Sequence, residues 1–329
     1  MPDRSDRLEL TEHRVPKTIA AGDNDRMNNM PAFQPLTGIY EPSAIQQLPD
    51  RRFLVVEDEK KHPFSLVTIG ADESVGSAPL SPGLLEADDG FWKLADLEGV
   101  ALDRSGHIYS LTSHSRDSEG DEKKSREKLV RFRVEGERVV APVVVTGLKS
   151  ALVATHPVLA HAAGIRDVKT GGGLNIEALE ISPDQQRLLI GFRSPLLDQC
   201  AIIAYVENPA AIFEAGKPPR ISATLEMLDL GGNGIRGMSW VPALGGYLVI
   251  SGPVAREQVH FLLWFWKPGE PARRVTAPGL QGFEHAEGVC PAVIDGRQLI
   301  MIVSDDGSRK EERYARYLLL DPARLQIAA

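Results

Sequence analysis

The sequence predicts an all-β propeller, and three observations predict it. A strand–turn–strand unit returns along the chain, its opening residue is nearly always polar, and each return is followed by further β-prone runs. The clearest copy is Asp96-Leu-Glu-Gly-Val-Ala-Leu, then turn residues Asp103 to Gly106, then His107 to Thr112. Alternation of apolar residues around Asp/Ser/Gly turn chemistry is a hairpin signal. Copies open at Ser43, Glu98, Glu177, Arg236 and Glu287, in steps of 55, 79, 59 and 51 residues. A period of tens of residues means a solenoid, propeller or array. Additional runs such as Leu129 to Val134 and Phe261 to Trp266 bring each unit to about four strands, the size of a propeller blade. Five copies predict five blades, with six as the alternative if the long step hides a degenerate one.

Taken in order, residues 1–36 are polar and irregular and read as a leader. A sharper reading makes Leu8 to Glu12 an edge strand that closes the ring onto the last blade. Residues 37–329 form the propeller. The second blade is interrupted by a charged insert, Ser118 to Glu127, which reads as a solvated loop. Residues 146–173 account for the step of 79; Leu152 to Ala163 predicts a short helix, and Gly171 to Gly173 a flexible link. Pro209 opens a second short helix with Asn208 as its cap. Tyr314 to Leu320 reads as the final strand. Gly232 to Gly237 matches G-x-G-x-x-G, but Met238-Ser-Trp-Val-Pro follows and cannot open a helix, so no nucleotide cofactor is expected.

Composition narrows the function classes. The chain has 329 residues, 43% hydrophobic and 25% charged, with a net charge of −8. Lysine and arginine are dispersed, so a nucleic-acid partner is not expected. No run approaches the roughly 18 apolar residues of a membrane helix, and no apolar signal core follows the N-terminus, so neither membrane nor secretion is expected and the cytoplasm is favoured. Cys200 and Cys290 lack metal-type spacing and read as reduced thiols.

If the first strand of each unit is innermost, its opening residue sits at the channel mouth. The end of the antiparallel second strand returns to the same mouth. Ser43, Glu98, Glu177, Arg236 and Glu287 should therefore meet Glu57/Asp58, Ser113/His114, Arg193, Ser251 and Ser304/Asp305. In the first function reading this ring binds a small anion and hydrolyses a phosphate or carboxylate ester. Arg116, Asn175, Arg193 and Arg236 bind the ligand, because guanidinium forks match carboxylate and phosphate. His114, with Glu98 or Glu177 to orient it, is the general acid or base. In the alternative, Glu98, Glu177, Glu287 and Asp305 hold Ca²⁺, which takes six to eight oxygens, and the propeller is a non-enzymatic scaffold for a protein partner.

The stretches Asp96-Leu-Glu-Gly-Val, Ser113-His-Ser-Arg, Arg126-Glu-Lys-Leu-Val-Arg-Phe, Gly173-Leu-Asn-Ile-Glu, Gly191-Phe-Arg-Ser-Pro, Gly234-Ile-Arg, Ser251-Gly-Pro and Ser304-Asp-Asp-Gly resemble a bacterial propeller family catalogued as domain of unknown function number 3616. They span residues 40 to 320. That family is similar to phytase-like and strictosidine-synthase-like propellers, which implies metal-bound or ester-cleaving relatives but transfers no catalytic residue.

Overall fold

A computed structural model describes residues 31–58, 62–70, 72–82, 90–166, 172–254, 260–280, 282–283 and 285–329. Five antiparallel sheets form five blades. A short strand, β1 (Gln34–Pro35), precedes them. The first blade is β2 (Pro42–Gln47), β3 (Phe53–Glu57), β4 (Phe64–Ile69) and β5 (Val75–Pro79). The second is β6 (Leu97–Leu102), β7 (Ile108–Thr112), β8 (Leu129–Glu135) and β9 (Arg138–Val145). The third is β10 (Asn175–Ile181), β11 (Leu188–Ser194), β12 (Ala201–Val206) and β13 (Glu226–Leu228). The fourth is β14 (Gly234–Val241), β15 (Gly246–Gly252), β16 (Leu262–Trp266) and β17 (Arg273–Thr276). The fifth holds β18 (Ala286–Ile294), β19 (Arg297–Ser304) and β20 (Arg316–Leu320).

The fifth blade takes its outer strand from the other end of the chain. β1 pairs antiparallel with β20, Gln34 opposite Tyr317 and Pro35 opposite Arg316. Leu36 follows, fully buried, with its N–H on the Ala315 carbonyl at 2.7 Å. Ring closure thus lies at Gln34–Pro35 and draws Gln34, Pro35 and Leu36 into the propeller; Leu8 to Glu12 lie outside the described residues. β21 (Gln326–Ile327) pairs with β17 and ties the C-terminus to the fourth blade.

The long third step is helical. α1 (Leu148–Thr155) and α2 (Pro157–Gly164) replace the single predicted helix and show no sixth blade among the described residues. Pro157 explains the break: it sits at the start of α2, where its missing N–H costs nothing. Leu148, Leu152, Leu159 and Ala162 bury against Ile176 and Ile190 of the third blade. α3 (Pro209–Ala215) forms as predicted, but the Asn208 side chain does not cap it. Asn208 Oδ1 instead accepts from Arg220 N at 2.8 Å, and Nδ2 donates to Pro218 O. Gly234 opens a strand rather than a helix. No helix among the described residues is long and apolar enough to cross a membrane.

The first strands of the five sheets contact one another around the ring, so they are innermost. Each carries a β-bulge at the same place. The register shifts lie between Pro42 and Ala44, Leu97 and Gly99, Ile176 and Ala178, Ile235 and Gly237, and Ala286 and Gly288. The unpaired residue is Ser43, Glu98, Glu177, Arg236 or Glu287 in turn. A bulge re-aims one side chain and sharpens the local twist; here it turns one polar residue per blade toward the axis.

The next residue is always small: Ala44, Gly99, Ala178, Gly237 and Gly288. Close approach of the neighbouring blade requires this. A Cβ on Gly99 would meet Leu179 Cβ at 2.7 Å, and one on Gly237 would collide with the Glu287 carbonyl oxygen. One position further on, Ile45, Val100, Leu179, Met238 and Val289 fill the axis and leave a void of about 10 Å³, too small to hold a water comfortably. The channel is therefore closed below the bulges. Gly237→Ala should cost about 1–3 kcal/mol in chemical denaturation through this overpacking. Gly76→Ala, on a strand with no atom within 4 Å of the added Cβ, should change stability by less than about 0.5 kcal/mol.

Candidate functional site

Above the closed axis lies a funnel of about 700 Å³. The five bulge residues form its floor, and Asp58, Asp96, Ser115, Arg116, Arg126, Asn175, Arg193 and Asp305 are among its wall residues. The two predicted sets therefore meet at one mouth, for Ser43, Glu98, Asp58, Glu177, Arg193, Arg236, Glu287 and Asp305. The rest of the second set does not. Glu57 is buried and accepts from Ser65 Oγ at 2.8 Å and Tyr40 N at 3.2 Å. Ser251 is buried and takes the Trp264 indole N–H.

Arg236 is the centre of the floor. Its Nε donates to Glu287 Oε2 at 2.7 Å and its Nη2 to Glu287 Oε1. Glu177 Oε2 also lies 2.9 Å from Arg236 Nε. That contact is an ion pair without a hydrogen bond, because the N–H is directed at Glu287 and Glu177 Oε2 has no hydrogen-bond partner. Burial works against the Arg236 charge, but Glu177 and Glu287 more than offset it and hold the guanidinium above its ordinary value. Glu177 Oε1 accepts from Arg193 Nη1 at 3.2 Å and Asn175 Nδ2 at 2.8 Å. Arg193 Nε is spent on the Pro253 carbonyl at 3.0 Å. Asn175 thus positions Glu177.

Glu98 stands apart. Among the described residues its carboxyl makes no hydrogen bond or ion pair, although it shares the floor with Arg236. Burial raises its pKa well above the ordinary carboxylate value, with repulsion from Glu177 and Asp96 adding to it. Burial raises Glu287 as well, against the pull of Arg236. Glu287 has two hydrogen bonds from a permanent cation and Glu98 has none, so Glu98 is the floor carboxyl least able to hold a charge. Asp305 and Asp58, on the wall, are both pushed up to about 6, chiefly through desolvation by that wall; Arg236 opposes the shift at Asp305, and Asp96 adds to it at Asp58. Asp305 has no side-chain partner among the described residues, while Asp58 Oδ1 accepts from Asp96 N at 3.1 Å.

His114 is not at the mouth. It is fully buried in the left-handed region at φ 55°, its Nδ1 lies 2.7 Å from the Thr112 carbonyl, and its Nε2 has no partner. Burial pushes its pKa down to about 4. The imidazole is neutral and walled off, so it cannot exchange protons with a ligand in the funnel. The strand-end turn that was expected to present it instead turns it inward. Its neighbour Ser115 faces the funnel.

Arg116 is also committed. Its Nε and Nη2 donate to the Ala163 carbonyl at the end of α2, and its Nη1 to Gly120 O. It braces the insert rather than offering a fork. That insert is not only a solvated loop: Ser118, Lys123, Ser125 and Arg126 complete the wall. Arg126 Nη1 binds Asp96 Oδ2 at 2.7 Å and Ser115 Oγ at 2.9 Å. Asp96 also receives the hydroxyls of Ser113 and Ser115. Asp96 and Arg126 were missed as site residues. Asp96 had a signal, two residues before a bulge glutamate as His285 is before Glu287.

The four carboxylates expected around calcium share the funnel, but Glu177 and Glu287 are already engaged by Arg236. The one group of three whose ligand atoms lie within 4.8 Å of one another, among the described residues, is Asp117, Glu119 and Asp121 on the exposed insert. Lys123 already pairs there, 3.1 Å from Asp117. A calcium held by all four would compete with Arg236 for Glu177 and Glu287.

Arg236→Ala removes one partner of a buried ion cluster and should cost about 3–5 kcal/mol at neutral pH. The stranded carboxyls would have folded pKa values above their unfolded ones. Such groups favour folding at low pH and lose that contribution as pH rises through the folded value. Chemical denaturation at pH 5 should therefore recover part of the loss seen at pH 8.

No family model matches the chain, and no curated protein matches it. Solved structures of distant similarity include a glucose dehydrogenase-type oxidoreductase of Thermus thermophilus, 16% identical with a TM-score of 0.46 over 88% of this chain and 100% of that one. Another is the PQQ-bound aldose sugar dehydrogenase of Streptomyces coelicolor, 15% identical with a TM-score of 0.42 over 90% and 98%. A third is the periplasmic gluconolactonase PpgL of Pseudomonas aeruginosa, 10% identical with a TM-score of 0.39 over 84% and 70%. At these values the likeness transfers no residue role.

Proposed function

We propose that the funnel binds a small, hydroxyl-rich molecule and hydrolyses an ester of it, with Glu98 as the general acid. The observation that carries this reading is Glu98, without a hydrogen-bond or ion-pair partner among the described residues on a floor whose other charges are matched, with burial raising its pKa. A carboxylic acid with a raised pKa can donate a proton to a leaving oxygen near neutral pH. Asp305, raised to about 6 and without a partner, is the group on the wall suited to accept a proton from water.

The charge pattern selects the ligand. Seven acidic and five basic side chains line the funnel among the described residues, so even with Glu98 protonated the lining has no positive excess to draw in a phosphate or a polyanion. The arginines are largely spent. Arg126 uses only Nη1, and Arg193 uses Nε and Nη1. What remains is enough for one acceptor or one carboxylate of the ligand. Hydroxyls can donate to Asp58 and Asp305 and accept from these guanidinium groups. A single carboxylate on the ligand keeps the anion reading in its weaker form, since Arg236 is already held by Glu287 and Glu177.

Thermal melting against glucose, gluconate, inositol, inorganic phosphate and calcium chloride tests the ligand class. A hydroxylated probe at a hundred times its Kd should stabilise the fold by about 2.7 kcal/mol, and Asp305→Ala should remove the rise. A response to phosphate alone, lost in Arg193→Gln, would establish the anion clamp instead. A response to calcium alone would establish the metal reading. Aryl-ester turnover should fall as pH rises through the elevated pKa of Glu98, and Glu98→Gln should bring it to background at unchanged fold.

A further inference from the structure

The innermost strands end at a second mouth of opposite chemistry. There a cavity of about 330 Å³ is lined by Leu102, Val241, Pro242, Pro291 and Leu299, with Arg51 at its edge. It is separate from the funnel, because the axis between them is filled by Ile45, Val100, Leu179, Met238 and Val289. Its one buried polar side chain, Gln47, is already satisfied. Gln47 Oε1 accepts from Val293 N at 2.7 Å, and Gln47 Nε2 donates to Val293 O at 3.0 Å and to Arg51 O at 3.1 Å. Four prolines line it and contribute no N–H. A ligand here gains by burying apolar surface, not by completing hydrogen bonds.

Arg51 supplies the polar end. It sits at the β2–β3 turn with φ 74°, its N–H on Leu48 O, and its carbonyl is fixed by Gln47. The neighbouring Arg52 takes Asp50 in a two-nitrogen contact at 2.6 and 2.8 Å. No ion pair or hydrogen bond of the Arg51 guanidinium forms among the described residues, and no acidic residue lines the cavity. A lone guanidinium at the rim of a largely apolar cavity is complementary to a carboxylate with a hydrocarbon body.

We propose that this cavity is a second binding site, independent of the funnel, for a small apolar carboxylate whose body fills the proline-lined space and whose head meets Arg51. Isothermal titration with octanoate, octan-1-ol and octylamine tests it on the full chain. Octanoate should bind, with octan-1-ol and octylamine each at least about tenfold weaker. Arg51→Gln, on an exposed turn, should reduce octanoate to the octan-1-ol level. Ala243→Trp, also exposed, should block all three by filling the mouth. Glu98→Gln should leave octanoate binding unchanged, which separates this site from the funnel. The proposal fails if octanoate gives no heat, if octan-1-ol or octylamine binds as well as octanoate, or if Arg51→Gln or a folded Ala243→Trp binds octanoate like the wild type.

Discussion

The structure depends on one buried guanidinium. Arg236 stands at the axis where five innermost strands converge, and two of the three floor glutamates close on it. Without that cation the floor would gather like charges in a desolvated place. With it, blades three, four and five are joined by a single ionic cluster. Such a cluster adds little net stability over a well-packed apolar one, but it cannot lose a member cheaply. Its value here is in what it leaves over. Arg236 closes on Glu177 and Glu287 and opposes the shift at Glu98 only in part, so burial and repulsion push that one floor carboxyl toward its neutral form.

The bulges make this arrangement possible. Packing five strands around an axis calls for small residues where the backbones approach most closely, and Ala44, Gly99, Ala178, Gly237 and Gly288 provide them. The preceding residue is lifted out of register and aimed upward; a following large apolar residue seals the axis. Polar, small, large is therefore one three-residue device repeated five times. It separates a wet, charged mouth from an apolar one within a few residues along each strand.

Much of this was legible in the chain. The return of Ser43, Glu98, Glu177, Arg236 and Glu287 at the head of β-prone runs located the floor, because the same backbone need recurs in every blade. What was not legible depended on how side chains share partners. Nothing local marks Arg236 as spent on two glutamates from other blades, or Arg116 as spent on the end of α2. His114 was misplaced because strand alternation was extended past the strand end, where a left-handed residue reverses direction. Arg126 was hidden in a charged insert that read as solvent-facing. Ring closure by Gln34–Pro35 lacked a signal, since a two-residue strand containing proline carries almost no β pattern.

The central claim is that Glu98 is the floor carboxyl that holds its proton most tightly. Carboxyl-carbon NMR titration, with Glu98 assigned by comparison with Glu98→Gln, measures it directly. The account predicts that Glu98 titrates well above the ordinary carboxylate range and that Glu98→Gln raises the melting temperature at neutral pH, where the wild type bears the cost of keeping that group desolvated. Titration of Glu98 near its ordinary value, with no gain from Glu98→Gln, would contradict it.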